Sequence, residues 1–159
     1  VVALGVPLYM QLSTIKKQLT PILLSELAGC VVGIISVVYI AKEMGASREV
    51  ILSLASKSVT TPIAMEVTKA VGGIPSLTAA VVVGVGLLCA VFGYRTMGFA
   101  RVKNPVAQGL SMGTAAHALG TATSMDKSEV HGAYASLGLT LNGIFTSLLT
   151  PSIIPLILG

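Results

Sequence analysis

The chain has 159 residues, of which 53% are hydrophobic and 10% are charged, and its formal net charge is +4. Soluble domains carry about 25% charged residues, so this composition does not suffice to cover a water-exposed surface. The mean hydropathy of +0.89 therefore predicts an integral membrane protein whose surroundings are the lipid bilayer. The Lys and Arg residues are scattered between apolar runs and form no basic stripe, which argues against a nucleic-acid partner.

Apolar runs predict about four transmembrane helices, because about 20 apolar residues cross a bilayer as a helix. Three runs have this length, at 21–41, 75–98 and 128–149. Residues 1–15 read as the end of a further span, so we expect residues 1–159 to be one all-α membrane domain, the later part of a longer chain. Glu26 lies one turn inside its run, and we expect it at the headgroup level, the alternative being the protein interior.

Two polar, helix-breaking stretches interrupt other apolar segments. The first is KSVTTPIAME, from Lys57 to Glu66. Pro62 disfavours helical geometry at the residue before it. We therefore expect one half-helix to about Val59 and a second one from near Pro62, with Thr60 or Thr61 as its cap.

The second stretch is GTAAHALGT, from Gly113 to Thr121. Its small residues predict a break around Gly113 and Thr114, followed by a short turn. A polar loop is expected over 121–129, before the final span.

The order of a broken segment, a polar loop and a full span occurs twice, at 49–98 and 105–150. Internal repeats of this kind are common in secondary transporters. Either both broken segments cross the membrane, or both dip in and return. The second arrangement separates the basic residues more unequally between the two sides, as the positive-inside tendency requires. It also inverts one copy relative to the other, so we favour re-entrant hairpins in an inverted repeat. One side then carries Lys16, Lys17, Arg95, Arg101, Lys103 and Lys127, and the other carries Lys42, Arg48 and Lys69.

Lys57 is a candidate for binding an anion, because a cation inside an apolar segment is costly unless it pairs or faces water. It attracts a carboxylate substrate, is neutralised by Glu66, or extends to the membrane interface. The Thr60-Thr61-Pro62 break offers hydroxyls and free amides at a half-helix N-terminus, where the helix dipole favours an anion. The alternative is a plain proline kink.

Three further residues have both a functional and a structural interpretation. His117 titrates near neutral pH and binds an anion or relays a proton, or else it is a hydrogen-bonded structural histidine. Glu66 carries a coupling proton or pairs with Lys69 one turn later. Asn142 needs partners inside a membrane, so it lines the site or joins helices.

No nucleophile with an adjacent base, phosphate-binding loop or carboxylate pair can be made out in the sequence. Cys30 and Cys89 fall in predicted spans without metal-ligand spacing. We therefore expect neither an enzyme nor a cofactor or metal site.

Three motifs together resemble the LrgB/CidB family of bacterial membrane proteins. They are Lys57 to Glu66, the turn GGIPSLT from Gly72 to Thr78, and the stretch from Gly113 through Glu129 to Ala133. The resemblance implies a multi-pass protein of the bacterial inner membrane, with an antiholin-like or holin-like role in murein hydrolase activity and autolysis. It also implies a smaller LrgA/CidA-type membrane partner. A plastid branch and some bacterial relatives are transporters of small carboxylates such as glycolate, glycerate or pyruvate.

Two functions follow, a carrier of small organic anions and an interaction protein of the antiholin or holin type. Polar groups concentrate in two breaks rather than along whole spans, which favours the carrier. We expect a homo-oligomer, in the form of a dimer. The proton-coupling candidates are Glu66 and His117. The expected substrate-binding residues are Lys57, Ser58, Thr60, Thr61, Gly113, Thr114, His117, Thr121 and Asn142.

Overall fold

The computed structural model describes residues 9–158, which contain seven α-helices and no strand. Three of them, α2, α5 and α7, are long and apolar enough to cross a membrane. These helices confirm the predicted all-α membrane class. Most of the first predicted span, with Pro7, lies outside the described residues. The helices are α1 Leu12–Lys17, α2 Leu19–Glu43, α3 Arg48–Leu54, α4 Thr61–Val71, α5 Pro75–Phe99, α6 Pro105–Lys127 and α7 Glu129–Leu158.

The helices α2 and α7 run parallel to each other. Cys30 Sγ lies 3.4 Å from Thr146 Oγ1, and Lys42 Nζ lies 3.5 Å from the Ile157 carbonyl oxygen, so the paired positions advance together along both helices. The final helix runs to Leu158 with Pro151 and Pro155 inside it, not beyond it as the prediction of a span ending at 149 implied. Prolines are tolerated in membrane helices where neighbouring groups satisfy the freed carbonyls.

The helices α3 and α4 form a hairpin. Ser56 Oγ donates to the Ala64 carbonyl at 3.1 Å, and the Ile74 amide donates to Ser53 Oγ at 2.7 Å. Ser56 thus pairs with Ala64, and the earlier Ser53 pairs with the later Ile74, so the two helices run antiparallel. With 7 and 11 residues, neither helix reaches the ~20 residues needed to cross a bilayer.

The first half-helix ends at Leu54, earlier than the predicted Val59. Lys57 thus lies in an irregular segment between the helices, not within a helix. Thr60 occupies the N-cap position of α4 as predicted, but its side chain makes no capping hydrogen bond.

The helix α6 is a second hairpin, which reverses at His117 (φ 45°, ψ −132°). A Cβ on Gly120 would lie 2.5 Å from the Met112 carbonyl oxygen, whereas eight residues of straight helix span about 12 Å. The reversal comes four residues after the predicted break at Gly113.

The predicted polar loop at 121–129 is also wrong, because the helix continues to Lys127. Three hydroxyl groups explain the difference, since each donates to the carbonyl four residues earlier and so stays compatible with a helix. They belong to Thr121, Thr123 and Ser124.

The tips of both hairpins contact α5 at Val82. Val59 and Ala64, at the first tip, pack on Val82, and His117 Nε2 lies 2.8 Å from the Val82 carbonyl oxygen. The body of the first hairpin contacts Thr78, nearer the start of α5. The second contacts Tyr94, nearer its end. The hairpins therefore approach α5 from opposite ends. The repeat boundaries 49–98 and 105–150 stay predictions.

This arrangement predicts which positions share a side of the membrane. Single cysteines at the exposed positions Lys103 and Asp126, in a protein whose native cysteines are replaced, should react with an impermeant maleimide from the same side. A cysteine at exposed Lys69 should react only from the other side. Labelling of Lys103→Cys and Asp126→Cys from opposite sides would show that α6 crosses the membrane.

Candidate functional site

A cavity of about 640 Å³ lies between α2, the break after α3, the first half of α6, and α7. Both polar breaks reach toward it, the first through Lys57 and Ser58 and the second hairpin through Thr114. Further polar side chains line its wall. They are Gln18, Ser25, Glu26, Asn104, Ser111, Asn142 and Thr146.

Asn142 on α7 connects the two hairpins. Its Nδ2 donates to the Ser58 carbonyl and to the Thr114 carbonyl, each at 2.9 Å. Its Oδ1 accepts from Thr146 Oγ1 at 3.4 Å. Because both amide hydrogens are used by backbone carbonyls, Asn142 has only its oxygen left for a ligand. Of its two predicted roles, the contacts favour joining helices.

Lys57 supplies a positive charge at the cavity. The side chain is half-buried and Nζ donates to Ser58 Oγ at 3.0 Å. Glu66, the predicted partner, is exposed on α4 and borders a separate groove with Pro62 and Pro151. The contacts of these two residues include no ion pair between them, and Lys57 lines the cavity instead.

Glu26 is a cavity residue that the predicted binding set does not include. Its side chain is 2% exposed, so it faces the protein interior, the alternative to the headgroup level in the prediction. Both carboxylate oxygens lie 2.7 Å from Thr114 Oγ1. A Cβ on Gly138 would come within 3.1 Å of Glu26 Oε1, so the glycine on α7 leaves room for the carboxylate. A Cβ on Gly29, one turn after Glu26, would lie 3.6 Å from Thr114 Cγ2, so this glycine was the available signal that another helix approaches this face.

His117 lies outside the cavity lining. It is buried, its Nε2 meets the Val82 carbonyl oxygen, and a Cβ on Gly86 would lie 2.6 Å from its Cε1 atom. The ring therefore fastens the second hairpin to α5. Thr121 Oγ1 donates to the His117 carbonyl at 2.9 Å, within the same turn.

The other predicted binding residues also lie outside the lining. Gly113 packs against the Ala135 carbonyl oxygen of α7. Thr60 and Thr61 lie at the start of α4 and are not among the residues that line the cavity. Of the predicted set, the structure brings together Lys57, Ser58, Thr114 and Asn142. Within residues 9–158, no group of His, Cys, Asp or Glu has the arrangement of a metal site.

The chain is therefore an α-helical membrane protein with two opposed hairpins. The irregular backbone of these hairpins lines a polar cavity between long apolar helices. Within this class, the chain belongs to the LrgB-like family, whose model matches residues 1–156.

Similar proteins from other bacteria match nearly the whole chain. An uncharacterized protein of Haemophilus influenzae is 40% identical over 157 residues, which are 99% of this chain and 68% of that protein. The antiholin-like protein LrgB of Bacillus cereus is 35% identical over 156 residues, 98% of this chain and 68% of its own. That of Bacillus anthracis has the same identity and coverage. No solved structure matches the chain.

Removing the Asn142 amide should destabilise the protein. Asn142→Leu keeps the side-chain volume but leaves two half-buried carbonyls without their donor, at a cost of about 1–3 kcal/mol for each unsatisfied group. We expect the free energy of unfolding to fall by at least about 2 kcal/mol, measured by titration with sodium dodecyl sulfate and circular dichroism.

Ser147→Ala on the same helix is the control, because its hydroxyl donates to the Gly143 carbonyl of α7 itself. Equal stability of the two variants would contradict the role assigned to Asn142.

Proposed function

We propose that the chain forms the substrate site of a secondary carrier for small organic anions, such as glycolate, glycerate or pyruvate. The observation that carries the proposal is a lysine in a helix break, facing a polar cavity where two hairpins meet. A bacterial inner membrane is the proposed location, with several passes and with the side that bears Lys103 and Lys127 in the cytoplasm.

Lys57 has the chemistry to bind a carboxylate. An ammonium group has three hydrogens, and Lys57 uses one of them on Ser58. Two hydrogens therefore remain for the oxygens of an anion. The cost of placing a cation within an apolar segment is offset when a carboxylate binds beside it.

Hydroxyl groups in the cavity suit the rest of such a substrate. Ser58, Ser111 and Thr114 line the wall and are able to donate to or accept from a hydroxyl or keto group. The volume of about 640 Å³ lies within the common range of ligand pockets, about 300–1,000 Å³. It therefore has room for a small acid together with water.

The opposed hairpins also suit alternating access. Transporters with inverted repeats bind their substrate where the repeats meet and open to either side by moving one unit against the other. Asn142 lies at this junction and holds both hairpins through hydrogen bonds to their backbones. A movement that frees one hairpin from Asn142 would open the cavity on that side.

A second candidate function is control of murein hydrolase activity through assembly in the membrane. It is favoured by the name of the Bacillus relatives, antiholin-like protein LrgB. Large apolar side chains on α2 and α5, such as Leu24, Val32 and Leu88, are more than half exposed and are available to lipid, a second copy or a small LrgA/CidA-type partner. In this proposal the protein acts as a dimer or larger assembly and moves no substrate.

Replacing Lys57 tests the carrier. Lys57→Gln removes the positive charge and keeps the length of the side chain nearly unchanged, so the KM for labelled glycolate, glycerate or pyruvate in proteoliposomes should rise by about tenfold or more, the equivalent of ~1.4 kcal/mol. Lys69→Gln, on the exposed face of α4, should leave the KM unchanged.

Absence of uptake by the unaltered full-length protein for all three acids would overturn the carrier. In that case, cross-linking of the protein to itself or to a small membrane partner would support the second candidate.

A further inference from the structure

We infer that Glu26 is the proton-binding site of the cavity and that its proton moves together with the anion. This inference rests on the proposed carrier function. It assigns the coupling role to a residue on α2, where the sequence had suggested Glu66 or His117.

The surroundings of Glu26 suit a carboxyl group that gains and loses a proton. The side chain is buried and lines the cavity. Among the described residues, its hydrogen bonds go to Thr114 Oγ1, at 2.7 Å from each oxygen. A buried carboxylate without a cation bonded to it is costly, and binding a proton removes this cost.

The Thr114 hydroxyl serves either state of Glu26. It lies 2.7 Å from the Leu110 carbonyl oxygen as well as from the carboxylate. When Glu26 is ionised, the hydroxyl donates to it. When Glu26 is protonated, the carboxyl donates to the hydroxyl, which then donates to Leu110. Neither state leaves a donor without an acceptor, so a proton binds and leaves without rearrangement of the helices.

The charges around the cavity link this proton to the anion. Lys57 from the first hairpin supplies the cation of the lining, and Cys30 on α2 is the other titratable group beside Glu26. The lining residues of α6 and α7 are uncharged. Lys57 is thus able to balance either an ionised Glu26 or a bound anion. With both present, one negative charge in the cavity remains uncompensated, so anion binding favours protonation of Glu26 and the reverse.

One transport cycle moves one proton together with one monoanion. A proton from the acidic side binds the Glu26 carboxylate, a monoanion binds at Lys57, and both leave to the other side. No net charge crosses the membrane. Glu66 is exposed and borders a different groove, and His117 is engaged by the Val82 carbonyl, so neither occupies a comparable position.

Glu26→Gln tests the inference, because glutamine resembles the protonated acid and cannot release a proton. In proteoliposomes, the unaltered full-length protein should accumulate labelled glycolate by up to about tenfold for each unit of pH difference. The signal from protein-free vesicles, which measures passive diffusion of the acid, is subtracted. Glu26→Gln should exchange labelled for unlabelled glycolate but accumulate none in response to the gradient. Glu43→Gln, an exposed position on the same helix, should behave like the unaltered protein.

Accumulation by Glu26→Gln equal to that of the unaltered protein would overturn the inference and leave the carrier standing. So would a loss of gradient dependence in Glu66→Gln in place of Glu26→Gln. Lack of exchange by the unaltered protein would instead overturn the proposed function, and the coupling with it.

Infrared difference spectra between acidic and basic buffers give a readout that does not depend on transport. The C=O stretch of a protonated carboxyl should be missing in Glu26→Gln and displaced in Thr114→Val, which removes the hydroxyl and keeps the shape. Unchanged bands in both variants would contradict proton binding at Glu26. Because Thr114→Val leaves the carboxyl in place, it keeps the test decisive if Glu26→Gln fails to fold.

Discussion

The fold depends on the pair of hydrogen bonds from Asn142 to the backbones of both hairpins. Within a membrane, irregular backbone is tolerated only where protein or water satisfies its polar groups. The carbonyls of Ser58 and Thr114 meet this requirement through one amide nitrogen, at 2.9 Å each. A single side chain on α7 therefore joins two separate breaks, and the cavity lies beside this junction.

The chemistry of the cavity follows from the groups that the breaks leave exposed to it. The first break faces it with a cation, Lys57, and the second hairpin contributes Thr114, a hydroxyl that holds the Glu26 carboxylate. One cation and one titratable acid in the same cavity make its net charge depend on both an anion and a proton. The proposed transport of an organic anion with a proton is a consequence of that charge balance.

Much of the fold was predictable from the sequence. Long apolar runs predict helices, and Pro62 predicts where one of them is interrupted. Hairpins at both breaks were also predicted, although the second reverses at His117 and not at Gly113. A positive φ at a histidine depends on tertiary contacts, here with Val82 and Gly86, and no local pattern encodes it.

The site was harder to predict than the fold. Lys57, Ser58, Thr114 and Asn142 were selected because polar groups in apolar segments need partners. Glu26 was left out of the predicted site because its distance from the end of a span favoured the headgroup level, whereas Gly138, distant in sequence, leaves room for it in the interior.

The most direct test of the account is the proximity of Ser58 and Ala115, which line the same cavity from different hairpins. With native cysteines replaced, Ser58→Cys and Ala115→Cys should be joined within one chain by a short bifunctional thiol reagent in membranes. Failure to cross-link, with both cysteines reactive toward a monofunctional reagent, would contradict the meeting of the two hairpins.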